Sequence, residues 1–107
     1  MANTYKNAFY DPTVTTAVIV YTVPANTTAL VKNIQLTNES GSKVVKVLVT
    51  DTSASTEYQI AYASISGATI CNLAKAPIVL EAGDILKIQT TDTTGISAII
   101  SYLEIDF

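Results

Sequence analysis

Few side chains in this chain are able to do chemistry, and those most enzymes rely on are missing. There is no histidine, so the usual general base near neutral pH and the commonest transition-metal ligand are absent, and a His-dependent triad or zinc site is excluded. The single cysteine, Cys71, can close no internal disulfide. It lies in the alternating run Thr69-Ile70-Cys71-Asn72-Leu73 with no imidazole to activate it, which reads as a small packed side chain and not as a nucleophile. The carboxylates Asp51, Glu57, Glu81, Asp84, Asp92, Glu104 and Asp106 could supply an acid/base pair or a calcium cage, yet none shows the ligand spacing of a calcium loop. Asp51, Asp84 and Asp92 instead stand where a turn uses a short acceptor to bond its own backbone. Gly41, Gly67, Gly83 and Gly95 are isolated in turns, so no phosphate-cradling loop exists. The expectation is a protein without catalytic residues, metal or cofactor, whose function is its surface.

Charge and composition narrow that further. The net charge is −3, and the six lysines, Lys6, Lys32, Lys43, Lys46, Lys75 and Lys87, are scattered, with no arginine to join them. Nucleic-acid binding needs clustered positive charge and is not expected. Hydrophobic residues make up 49% of the chain and charged ones only 14%. Val, Ile and Thr dominate, β-branched residues that suit pleated surfaces. So little charge leaves little polar surface for a lone monomer, which suggests that neighbours cover part of the outside. At 107 residues the chain is one domain with one core. The start, MANTYKNAFYDPT, lacks the pattern of a secretory signal, and no apolar run approaches the ~20 residues of a membrane helix. The sequons at Asn26 and Asn38 accordingly carry no weight.

The positioning elements read as strands. Residues 1–13 are polar with an aromatic trio, Tyr5, Phe9 and Tyr10, closed by Asp11-Pro12, and read as an N-terminal arm ahead of a sandwich domain over 14–107. The arm could fold back on its own domain or pack on a neighbour. Val14–Thr22 forms a strand apolar on both parities, halted by the Pro24 turn. In Ala29–Asn38, Leu30, Ile34 and Leu36 share one parity and Lys32 breaks it; in Lys43–Asp51 the valines alternate. Tyr58, Ile60 and Tyr62 share a parity that reads as inward. Short strands follow near Ala68–Leu73 and Ile78–Leu80, then Asp84–Asp92 and a closing strand Ile96–Ile105. About eight short strands spaced near 8–12 residues predict an all-β, antiparallel sandwich, jelly-roll-like. Its predicted core is Leu30, Ile34, Leu36, Val45, Val47, Val49, Ile60, Leu86, Ile88, Ile99 and Leu103.

The sequence from Tyr21 to Ile105, with VPANTTALVKNIQLTN, then PIVLEAGDILKIQ and the closing ISAIISYLEI, resembles small β-sandwich virion structural proteins of tailed bacteriophages, particularly those of marine bacteria and cyanobacteria. The resemblance brings no catalytic residues. It implies a building block made in the host bacterial cytoplasm and assembled into the virion in many symmetric copies, decorating or cementing the capsid. A tail, neck or fibre-attachment component is the alternative. A carbohydrate-binding sandwich is a third reading, weakened by the lack of Trp and by the inward parity of Tyr58 and Tyr62. The expected partners are the chain itself, as a closed homotrimer, and the major capsid or other virion proteins, with no membrane and no nucleic acid. The both-face apolar runs and the arm place the expected subunit contacts at Tyr5, Phe9, Tyr10, Val18, Ile19, Val20, Ile100 and Tyr102.

Overall fold

The structure, a computed structural model describing residues 2–106, is built from nine strands. They are β1 (Asn3–Tyr10), β2 (Val18–Thr22), β3 (Thr27–Asn38), β4 (Lys43–Asp51), β5 (Thr56–Ile65), β6 (Thr69–Asn72), β7 (Ile78–Leu80), β8 (Ile85–Thr90) and β9 (Ile96–Asp106). Two antiparallel sheets result, one in the order β1-β9-β3-β6 with β7 also on β3, the other in the order β2-β8-β4-β5. Pairing is nested: β1 with β9, β2 with β8, β3 with β6 and β7, β4 with β5. With β6 and β7 taken as two halves of one edge broken around Pro77, this is the eight-stranded jelly-roll order. The sequence reading of an antiparallel, jelly-roll-like sandwich therefore holds.

The 1–13 segment contains a strand of that sandwich. β1 pairs along its length with β9, from Asn3↔Ile105 to Tyr10↔Ala98, because β9 lies inside the sheet and offers a second edge beyond β3. Asp106 N–H also donates to Ala2 O (2.9 Å). The inward parity of β1 then sets Ala8 and Tyr10 against the core.

Valine alternation in β4 is reproduced, with Val45 and Val47 fully buried and Val49 half-buried against the core. Leu86 and Ile88 meet them from β8. In β3 the register slips between Val31 and Asn33. Lys32, which broke the apolar parity, is the bulged residue. Ala29 and Val31 face inward before it and Ile34 and Leu36 after it. Leu30 is thereby turned outward and half-buried, a correction to the predicted core. A second correction concerns β9. Its inward set is Ile96, Ala98, Ile100, Tyr102 and Glu104, so the predicted core residues Ile99 and Leu103 are half-buried on the outside. A third concerns β5, where a slip leaves Ile60 unpaired between Gln59↔Leu48 and Ala61↔Val47. Ile60 is exposed, not core, and Tyr58 and Tyr62 are exposed as well.

Each end of the sandwich is locked by backbone. The two turns quoted in the resemblance are neighbours: Val23 N–H donates to Asp84 O (2.9 Å), and Gly83 N–H to Val23 O (3.0 Å). Gly83 has φ +88, a conformation in which a side chain is strained, and a Cβ there would stand 2.8 Å from Thr52 Oγ1, which would have to turn aside. At the other end the buried Asn38 Nδ2 donates to the carbonyls of Gly41, Ile65 and Ser66. This clamps the β3–β4 and β5–β6 turns, and it engages the nitrogen that a sequon would offer. The two turns touch so closely that a Cβ on Gly67 would lie 2.7 Å from Gly41 N.

Candidate interaction face

Register alone defines the outer face of the five-stranded sheet. The partners Tyr5↔Leu103, Leu30↔Leu103 and Leu30↔Val79 make one continuous apolar row across β1, β9, β3 and β7. The partners Asn7↔Ser101 and Asn33↔Ser101 make a polar row beside it, and Phe9↔Ile99, Gln35↔Ile99 and Gln35↔Asn72 a mixed one. Tyr5 is 74% exposed, Phe9 72%, Ile70 69% and Val79 64%. Leu30, Ile99, Leu103 and Ile105 are half-buried between them. Among the described strand positions of this face the one charge is Lys32, whose Nζ stands 5.8 Å from the Tyr5 ring centroid. A depression of about 190 Å³ lies on this face beside Phe9, Gln35 and Ile99.

The face is braced from beneath by a polar cluster between the sheets. Glu104, on the inward parity of β9, accepts a hydrogen bond from Tyr21 Oη (2.5 Å) and pairs with Lys6 Nζ (2.8 Å). The Tyr21 and Tyr102 rings lie 4.1 Å apart. Burial opposes ionisation of Glu104, but the Lys6 ammonium and the Tyr21 hydroxyl outweigh it and hold the carboxyl below its ordinary value. Burial, with the adjoining carboxylate, pushes the Tyr21 phenol well above the usual range. The hydrogen bond and charge of Glu104 raise Lys6. The cluster fixes β1, which carries Tyr5 and Phe9, to β9 and across to β2. Its residues point between the sheets, and a depression of about 240 Å³ on the other side of the molecule, lined by Thr15, Val44, Lys46, Gln89, Thr90 and Thr91, holds no carboxylate or thiol. No group of three or more His, Cys, Asp or Glu side chains able to hold a metal occurs among the described residues.

The predicted contact residues are split. Tyr5 and Phe9 stand together on the outer face just described. Ile19 is exposed too, 58%, but on the four-stranded sheet. Tyr10, Ile100 and Tyr102 belong to the domain's own core, a correction: Tyr10 Oη reaches Thr90 Oγ1 (3.4 Å) across the layers, and Ile100 is fully buried. Val18 and Val20 are half-buried against the core as well. In β9 the apolar run on both parities has two causes, the core on one side and this outer face on the other; in β2 a register shift between Ile19 and Tyr21 lies within the run. Leu30, Leu103 and Val79 were missed because the face spans four strands and exists only once register is known.

A second exposed apolar feature is the β5 edge of the four-stranded sheet, whose other edge is β2. β5 is ten residues long and mostly exposed. Tyr58 pairs with the inward-facing Val49 and Tyr62 with the outward-facing Lys46, so the bulge at Ile60 sends the two rings to opposite sides of the edge. They form no common stacking platform.

No protein-family model and no curated protein matches the chain. No helix among the described residues is long and apolar enough to cross a membrane.

Proposed function

We propose that this protein is a non-enzymatic structural component of a tailed-bacteriophage virion that decorates or cements the capsid through repeated subunit contacts. The observation that carries the reading is the outer face of the five-stranded sheet, whose described strand positions carry a single charge, Lys32, and whose row Tyr5-Leu103-Leu30-Val79 leaves apolar side chains in water unless a protein surface covers them. The sequence resemblance names the particle, and the fold is one used by viral capsid domains among others, which is support by analogy only. On this reading the partners are further copies of the chain, as a closed oligomer, and the capsid protein beneath. The carbohydrate-binding reading loses ground because Tyr58 and Tyr62 leave the sheet on opposite sides.

Immunogold electron microscopy of purified particles tests the proposal. Gold over the head supports capsid decoration, gold over the tail or neck moves the protein to the alternative site, and unlabelled particles with the antigen left in the soluble lysate would sink the virion reading.

A further inference from the structure

The two exposed apolar features lie on different parts of the molecule, and each lacks a cover. We propose that they cover one another: the β5 edge of one copy lies on the outer face of the five-stranded sheet of the next, so that copies join head to tail in a closed ring. This rests on the reading of the protein as a repeated building block, and it names the occupant of the face.

Three observations select this occupant. The first is charge. The strand positions of the face carry one charge, the basic Lys32, and β5 carries one, the acidic Glu57. Face on face across a two-fold axis would enclose two lysines, one from each copy, with no acid on either face to meet them. Edge on face brings opposite signs together. Glu57 uses Oε1 for both Lys87 (2.9 Å) and Thr50 (3.4 Å), and its side chain stays 43% exposed.

The second is size. Four strands at ~4.8 Å spacing, along a β9 of eleven residues at ~3.4 Å each, give the face a plan area of roughly 700 Å². That is the most this face can bury, and it is close to the ~800 Å² per partner of a standard interface. β5, with ten residues at ~3.4 Å, is about as long as the face.

The third is completeness. A two-fold contact through the face leaves Tyr58, Ile60 and Tyr62 in water, whereas edge on face buries both sets. The face looks out from one layer while the edge flanks the other layer. The two patches therefore lie on adjoining sides of the molecule, so each contact rotates one copy against the next; a rotation that closes makes the ring, and one that does not makes a helical filament, which light scattering would report as a mass that grows with concentration.

The test is complementation between two disabled surfaces. Val79→Glu spoils the face and the double variant Tyr58→Glu/Tyr62→Glu spoils the edge; all three positions are more than half exposed, so the fold should survive, as circular dichroism would verify. If either lost its sheet spectrum, Tyr5→Glu or Ile60→Ser would take its place. Light scattering coupled to size exclusion should give three or more copies for the parent and a monomer for each variant, a threefold or larger fall in mass. A 1:1 mixture of the variants should form a heterodimer, since one intact edge meets one intact face. A monomeric parent, an edge variant that assembles like the parent, or a mixture that stays monomeric would each overturn the ring. Particle labelling reports separately: gold on the virion together with a monomeric parent removes the ring and leaves the virion reading standing.

Discussion

The outer faces of the two sheets follow the same strand alternation and treat it in opposite ways. On the four-stranded sheet, Leu48 faces out yet is only 9% exposed, because it is flanked by long polar chains: Lys87 beside it on β8, and Gln59 on β5. Lys87 bridges to Glu57, and Lys46 lies 5.7 Å from the Tyr62 ring. Snorkelling stems cover the apolar atoms and hold their charges in water. On the five-stranded sheet the row Tyr5-Leu103-Leu30-Val79 is flanked by Asn7, Ser101 and Asn33, side chains too short to do the same, and the one lysine, Lys32, lies over Tyr5 at the end of the row. The centre of one face is finished within the monomer; the row across the other is not.

The largest expected effect abolishes both faces at once. Val47→Asp places an unpaired charge in the layer on which both sheets rest and should cost several kcal/mol, about 3 to 5. A variant that melted like the parent would show that the inward parity of β4 is misassigned. Next in size is a paired substitution. Leu48→Ala should cost about 2 kcal/mol, as for a buried leucine, whereas Tyr5→Ser, at a position 74% exposed, should change monomer stability by less than about 0.5 kcal/mol. Chemical denaturation of both at a protein concentration where the parent is monomeric checks this, and equal costs would erase the distinction between the faces.

A smaller and pH-dependent effect is expected beneath the uncovered face. The lowered Glu104 carboxyl contributes stability that is present above its unfolded value of 4.5 and lost as pH falls through the folded one. The raised Lys6 contributes below 10.5 and loses this as pH rises through its own folded value. Glu104→Gln should therefore lower the melting temperature between those limits, with the difference from the parent closing below the carboxylate range. A difference independent of pH would mean that packing, not the ion pair, holds β1 down. Smallest is Glu57→Gln on the finished face, an exposed pair that should shift the melting temperature by little more than its reproducibility, and by nothing in high salt.

The sandwich was legible where one parity carries a run of valines, as with Val45, Val47 and Val49 in β4. In β3 Lys32 was visible as a break in the parity but not as a slip, so Leu30 was placed in the core with Ile34 and Leu36. The sandwich was not legible in β9. Ile99, Leu103 and Ile105 look like a core set, and the true inward set includes Glu104, whose burial depends on Lys6 and Tyr21, each more than eighty residues away. An outer face that is itself apolar removes the contrast on which parity reasoning depends. β5 failed for another reason, since nothing local in Gln59-Ile60-Ala61 announces a bulge, and without it Tyr58 and Tyr62 seem to share a side. The arm was legible as aromatic but not as a strand, because what makes it one is the free edge of β9 at the far end of the chain. Tyr5 and Phe9 were thus found as candidates from residue type, while Leu30, Leu103 and Val79 became visible only through register.

The nested pairing also sets an order in time. β4 and β5 are joined by a short turn and can close within microseconds, whereas β1 must wait for the last strand of the chain to be made before it has anything to pair with. During synthesis at ~5–20 residues per second, Tyr5, Phe9 and Tyr10 thus spend several seconds as an unpaired leader. Refolding should show the same sequence, and pulse-labelled hydrogen exchange should find the β4–β5 amides protected ahead of those in β1. The strand that bears the aromatic part of the outer face is then the last to settle, so the molecule presents a complete face only after its own folding has finished.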